Sequence, residues 1–191
     1  MFTAKPIGLT ILFFLAIHIG LTQEINADHK WIFHSINQVG LLEGENASAF
    51  QIQTINGAQY KTWFAGIGIG LDYYRFRSVP LFLDLRKSFR SDGNGFFLYA
   101  DGGLDFVWPL ESQKISGQAS YKNNFYSDIG LGYQLQLLKR TSLLFSAGYS
   151  YKKVVENNSM PCAPWFGPCD ATTDQYIYDL NRLSVKIGVS F

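Results

Sequence analysis

The stretch RLSVKIGVSF, residues 182–191, alternates without a break. Leu183, Val185, Ile187, Val189 and Phe191 fall on one side, and Arg182, Ser184, Lys186, Gly188 and Ser190 on the other. A period of two belongs to an extended strand, whose successive side chains point to opposite faces. The faces are fully segregated, and the sequence ends on an aromatic where a soluble domain ordinarily frays into polar residues. The apolar side must meet either a protein core or lipid, and that choice decides the fold.

The same grammar runs back along the chain. In TSLLFSAGYSYK, residues Leu143, Phe145, Ala147, Tyr149 and Tyr151 oppose Ser142, Leu144, Ser146, Gly148, Ser150 and Lys152, with only Leu144 breaking the polarity. SDIGLGYQLQL (127–137), FLYADGGLDFVW (97–108), VPLFLDLR (79–86) and WFAGIGIGLDYY (63–74) alternate likewise. Two weaker strands, near 31–41 and 49–56, bring the expected total to eight. Short joints at NGAQYK (56–61), RSDGNG (90–95) and KRT (139–141) carry tight-hairpin signals. The longest joints, 110–122 and 153–176, fall at the opposite end, although the joint near 75–78 is short for that end. Short turns at one end and long loops at the other describe a transmembrane barrel with its short side in the periplasm.

A soluble sheet would bury the apolar face and wet the polar one, inverting every assignment. Three features favour lipid outside. The polar faces hold Gly, Ser, Asp and Gln, which suit a cramped interior. Trp63, Tyr73, Trp108, Tyr149, Tyr151 and Phe191 sit on apolar faces toward strand ends, where aromatic girdles meet the lipid interface. The apolar stretches run about 9–11 residues, the length with which a tilted strand crosses a bilayer. Closure satisfies every backbone hydrogen bond, and eight strands enclose a lumen that side chains fill. The expected class is all-β, an eight-stranded antiparallel up-and-down transmembrane β-barrel.

The 191 residues carry 16 Lys+Arg against 15 Asp+Glu, a net charge of +1 that leaves nucleic acid without an electrostatic footprint. Charged residues make up only 16 % of the chain, against about 25 % in ordinary soluble domains. Residues 1–22 have the layout of a cleavable signal peptide: Lys5, an apolar run over 7–21, small residues Gly20 and Thr22, then the polar QEINADHK. This leaves 23–191 as the barrel domain. Cys162 and Cys169, in CAPWFGPC, read as a disulfide closing a small loop in an exported protein. Six intervening residues do not suit a CxxC redox or zinc pair, and neither a metal nor a cofactor is expected.

A Lys or Arg facing mid-bilayer lipid costs about 2–4 kcal/mol, so the charges on these strands should turn inward. Parity sends Asp72, Asp84, Asp101, Asp105 and Asp128 into the lumen with Arg86, Arg182 and Lys186, where buried charges persist only when paired. The set reads as an interior salt-bridge network, with a proton or cation path as the functional alternative. His34 and Ser35 invite comparison with a catalytic pair, but adjacent strand residues face opposite ways. Gly66, Gly68 and Gly70 lack the following helix of a phosphate loop. Trp165 and Phe166, inside the proposed disulfide loop, read either as exposed recognition anchors or as part of a lid over the barrel mouth.

The signal-like 1–22, the alternating strands over 31–191 and the terminal LSVKIGVSF resemble the small eight-stranded outer-membrane barrels of Gram-negative bacteria, in the OmpX and OmpW style. TINGAQYKTWFAGIGIGLDYYRFRSVPLFLDLR and FHSINQVGLLEG are similar to an uncharacterised subgroup of such barrels. The resemblance implies residence in the outer membrane, lipid and the barrel-assembly machinery as partners, and Phe191 as the assembly signal. It implies no catalytic residue. The expected function is that of a monomeric, non-enzymatic outer-membrane barrel whose loops, notably 153–176, mediate interaction with an extracellular ligand or support envelope integrity. A narrow channel or conduit for small solutes is the alternative, and a lipid-modifying enzyme a third reading.

Overall fold

In the computed structural model, residues 31–44, 48–73, 77–90, 93–108, 119–122, 124–160 and 172–191 are described. The signal-like segment 1–22 and the Cys162–Cys169 loop with Trp165 and Phe166 lie outside them. Each alternating stretch is an antiparallel strand: β1 Ile32–Glu43, β2 Ser48–Tyr60, β3 Trp63–Tyr73, β4 Arg77–Ser88 and β5 Gly95–Val107. These are followed by β6 Ala119–Lys122, β7 Asn124–Gln136, β8 Ser142–Met160 and β9 Thr172–Ser190. Strand β9 pairs with both β8 and β1, so β1-β2-β3-β4-β5-β7-β8-β9 closes as an eight-stranded up-and-down barrel. Short β6 continues the β7 ladder along β8. Lys122 pairs with Val155 and Tyr126 with Lys152, so the register along β8 shifts by one residue between β6 and β7.

The registers fix the barrel's dimensions. One hydrogen-bonded row runs Phe33, Ala58, Ala65, Leu85, Ala100, Ile129, Tyr149, Leu183 and returns to β1 at Glu43, ten residues beyond its start. With strands ~4.8 Å apart and rising ~3.3 Å per residue, that stagger over eight strands tilts them by about 40° and sets a backbone radius of about 8 Å. Side chains fill a lumen of that width.

The outward residues form an exposed apolar belt. Ile67, Leu83, Ile129 and Leu183 are each between 61 % and 63 % exposed. Aromatics border the belt: Phe33, Trp63, Phe96, Tyr133 and Phe191 at the short-turn end, Tyr73, Trp108 and Phe125 at the other, all exposed. Inward, Ile36, Ile55, Phe64, Phe82, Phe97, Tyr99, Tyr126 and Leu144 form one buried cluster. Phe82 and Tyr126 meet with ring centroids 5.4 Å apart. Two cross-strand glycines make room for these rings. A Cβ on Gly68 would lie 2.4 Å from the Phe82 ring and one on Gly132 2.2 Å from the Phe97 ring, each glycine being the register partner of the phenylalanine it accommodates.

The connections depart from the sequence expectation in three places. The β2–β3 turn falls at Lys61–Thr62, with Lys61 at φ 55°, and not at Asn56-Gly57. Those two residues stay in the ladder, because Gly57 passes so close to β3 that a Cβ there would be 2.2 Å from the Ala65 carbonyl oxygen. The segment 153–176 is a loop only in part. Strands β8 and β9 remain paired from Ser142–Ser190 to Met160–Thr172, well above Leu183–Glu43, where β9 meets the end of β1. Ala119–Lys122, assigned to the 110–122 loop from sequence, is likewise strand and pairs with β8 over Val155–Asn158. Polar sequence there conceals strands that a continuous ladder sustains.

Candidate functional site

Strand parity turns every other residue into the lumen, and the polar residues so placed form hydrogen-bonded clusters among the buried aromatics. Toward the long-connection end, Lys152 Nζ lies 2.5 Å from Asp72 Oδ2 and 2.7 Å from Asp105 Oδ1. It also donates to Ser78 Oγ at 2.8 Å, and Ser78 in turn donates to Asp72 Oδ1 at 2.6 Å. Lys152, Asp72 and Asp105 are at most 1 % exposed. A charge so thoroughly removed from water requires such partners, since an isolated one costs several kcal/mol.

A second cluster forms around Lys186, whose Nζ is 2.9 Å from Asp128 Oδ2 and 3.5 Å from Asp101 Oδ2. Tyr99 and Ser184 hydroxyls both donate to Asp128 Oδ1, at 2.9 and 3.0 Å, and the ammonium stands 4.5 Å from the Tyr99 ring centroid. Next to it, Arg86 grips Asp84 through Nε and Nη2, the latter at 2.8 Å. Asp84 and Asp101 are register partners. The Arg86 guanidinium also stands 5.4 Å from the Phe97 ring centroid.

Amide and phenol groups link the clusters. Arg86 Nη2 reaches Gln38 Oε1 at 3.5 Å, Gln38 donates to Gln53 Oε1 at 2.6 Å, and Gln53 donates to the Tyr126 hydroxyl at 3.0 Å. The Tyr126 ring lies 5.4 Å from Lys152 Nζ. Each lysine serves two aspartates, and Asp101 Oδ1, Asp105 Oδ2 and both amide atoms of Gln51 find no donor or acceptor among the described residues. Ordered water is the ordinary complement of such atoms.

Of the sequence candidates, Asp72, Asp84, Arg86, Asp101, Asp105, Asp128 and Lys186 lie in these clusters. Arg182 is half-buried, and its Nη1 donates to the Leu42 carbonyl oxygen at 3.1 Å near the end of β1. Lys152 and buried Glu156 were absent from the expected network. The phase of Lys152 with Ser146 and Ser150 marks it as inward, whereas Glu156 lies in a stretch that reads as loop. Gln38, Gln53, Tyr99 and Tyr126 carry no charge to announce them. His34 is half-buried and Ser35 faces the other way, its backbone paired with Phe191 through bonds of 2.8 and 3.0 Å.

No protein-family model matches the sequence, and no curated protein matches it. Solved structures that share its fold include two outer-membrane proteins. The outer membrane protein OprG from Pseudomonas aeruginosa superposes with a TM-score of 0.54 at 13 % identity, over 85 % of this chain and 96 % of that one. The outer membrane protein AlkL, solved in DMPC lipid bilayers, gives 0.56 at 11 % identity over 100 % and 96 %. The chain thus has the fold of these eight-stranded outer-membrane barrels.

Proposed function

We propose that this chain is an integral outer-membrane barrel without enzymatic activity, plugged by its own ion clusters, and that its long-connection end acts at the cell surface. The observation that carries the reading is its reversed polarity: an exposed belt of Ile, Leu, Val and aromatic residues surrounds a lumen of buried Asp, Lys, Arg and Gln. In water such a belt would be a very large aggregation-prone patch, and in lipid it is what a barrel wall requires. Likeness of fold to two outer-membrane proteins supports the same location.

Phe82 and Tyr126 fill the lumen between the two ion clusters, and Phe64 and Phe97 fill it toward the short-turn mouth, which favours a sealed barrel over a conduit. The paired β8–β9 hairpin then serves as a stalk carrying 161–171, with Trp165, Phe166 and the Cys162–Cys169 pair, toward an extracellular ligand or surface partner. Phe191 is assigned the role of assembly signal at the end of β9, read by the barrel-assembly machinery. Fractionation tests the location. The protein should partition with the outer membrane and run at different apparent mass before and after boiling, whereas a soluble periplasmic product would reverse the facing of every strand.

A further inference from the structure

Two cations stand at opposite ends of the outward face of β4. Arg77 and Lys87 are in phase with Val79, Leu81, Leu83 and Leu85, and neither has an ion-pair partner among the described residues. Each stacks on an exposed tryptophan from a neighbouring strand. The Arg77 guanidinium lies 4.1 Å from the Trp108 ring centroid while its Nε donates to the Trp108 carbonyl at 3.1 Å. Lys87 Nζ lies 4.5 Å from the Trp63 ring centroid and donates to Thr62 Oγ1 at 2.6 Å. These contacts hold the two heads against the wall and leave the terminal nitrogens of Arg77, and the remaining Lys87 protons, available for an anion.

Their spacing identifies what they face. Ten residues of ~3.3 Å rise inclined at about 40° span about 25 Å along the barrel axis, the height of the apolar band of an outer-membrane barrel. Between them the outward residues of β4 are apolar. Each cation therefore stands at the level where hydrocarbon gives way to headgroups, and the anion at that level is lipid phosphate. We propose that Arg77–Trp108 and Lys87–Trp63 are two lipid-phosphate clamps, one for each leaflet, that fix the depth of the barrel in the bilayer. A guanidinium fork suits a phosphomonoester better than an ammonium does, so the Arg77 clamp should be the tighter of the two.

This inference rests on the membrane reading, and flotation of the reconstituted protein with vesicles checks that reading first. Wild-type protein is reconstituted in phosphatidylcholine vesicles with and without phosphatidic acid, and its unfolding midpoint is read by the boiling-dependent gel shift. Phosphatidic acid should raise the midpoint by about 2–4 °C per clamp, and high salt should erase the gain. Arg77→Gln and Lys87→Gln should each remove part of the gain and the double variant all of it, while Arg77→Lys should retain a part. Absence of the gain in wild type, its full retention in the double variant, or an equal gain from free inorganic phosphate in phosphatidylcholine vesicles would overturn the assignment.

Discussion

Replacing Lys152 with Met keeps most of its volume and removes the one ammonium that Asp72 and Asp105 share. Both carboxylates are at most 1 % exposed, so the variant strands two negative charges in a packed lumen. Breaking a buried pair in this way costs about 3–5 kcal/mol, against about 0–1 kcal/mol for a solvated one. With a urea slope of about 2 kcal/mol per M, the unfolding midpoint of the reconstituted barrel should fall by about 2 M. Removing the stranded charges supplies the control: Lys152→Met with Asp72→Asn and Asp105→Asn should recover more than half of the loss. A midpoint drop under about 0.5 M for Lys152→Met alone would mean that water reaches these groups, and the sealed-lumen account would fail.

Three other outcomes follow from the same geometry. Gly68→Ala and Gly132→Ala push a methyl group into the Phe82 and Phe97 rings, and each should lower stability by about 1–3 kcal/mol in the same urea assay. Leu83→Arg places a charge on the outward belt and should cost about 2–4 kcal/mol in vesicles, whereas the same change on a water-facing surface would register within about 0.5 kcal/mol. In planar bilayers the wild-type barrel should be electrically silent, and discrete conductance steps would favour the conduit reading over the plug.

Much of the wall was legible in the sequence because lipid imposes an uncompromising parity on it. Strands β3, β4, β5 and β7 and the lower parts of β8 and β9 carry apolar residues at nearly every outward position that meets the belt, with Ser127 on β7 an exception. The lumen imposes no such rule. It accepts Ile36, Ile55 and Phe82 beside Gln38, Gln53 and Asp84, so β1 and β2, which contribute Ile36, Leu42 and Ile55 inward, read as blurred. Asn56-Gly57 resembled a turn because the sequence cannot distinguish a glycine needed for φ > 0 from one needed for close backbone approach. The β8–β9 stalk was hidden for another reason. Above the belt neither face needs to be apolar, and unbroken pairing with β9 runs through Lys153–Met160.

The facing of the wall is the central claim, and a nitroxide attached in turn at Leu81→Cys, Leu83→Cys and Leu85→Cys, in a Cys162→Ser/Cys169→Ser background, measures it directly. In reconstituted vesicles all three labels should collide freely with dissolved oxygen and be shielded from a water-soluble nickel chelate, with the strongest shielding at position 83. Labels that the nickel chelate reaches, or that are immobilised and inaccessible to oxygen, would place these leucines in water or in a protein core and contradict the barrel's assignment to lipid.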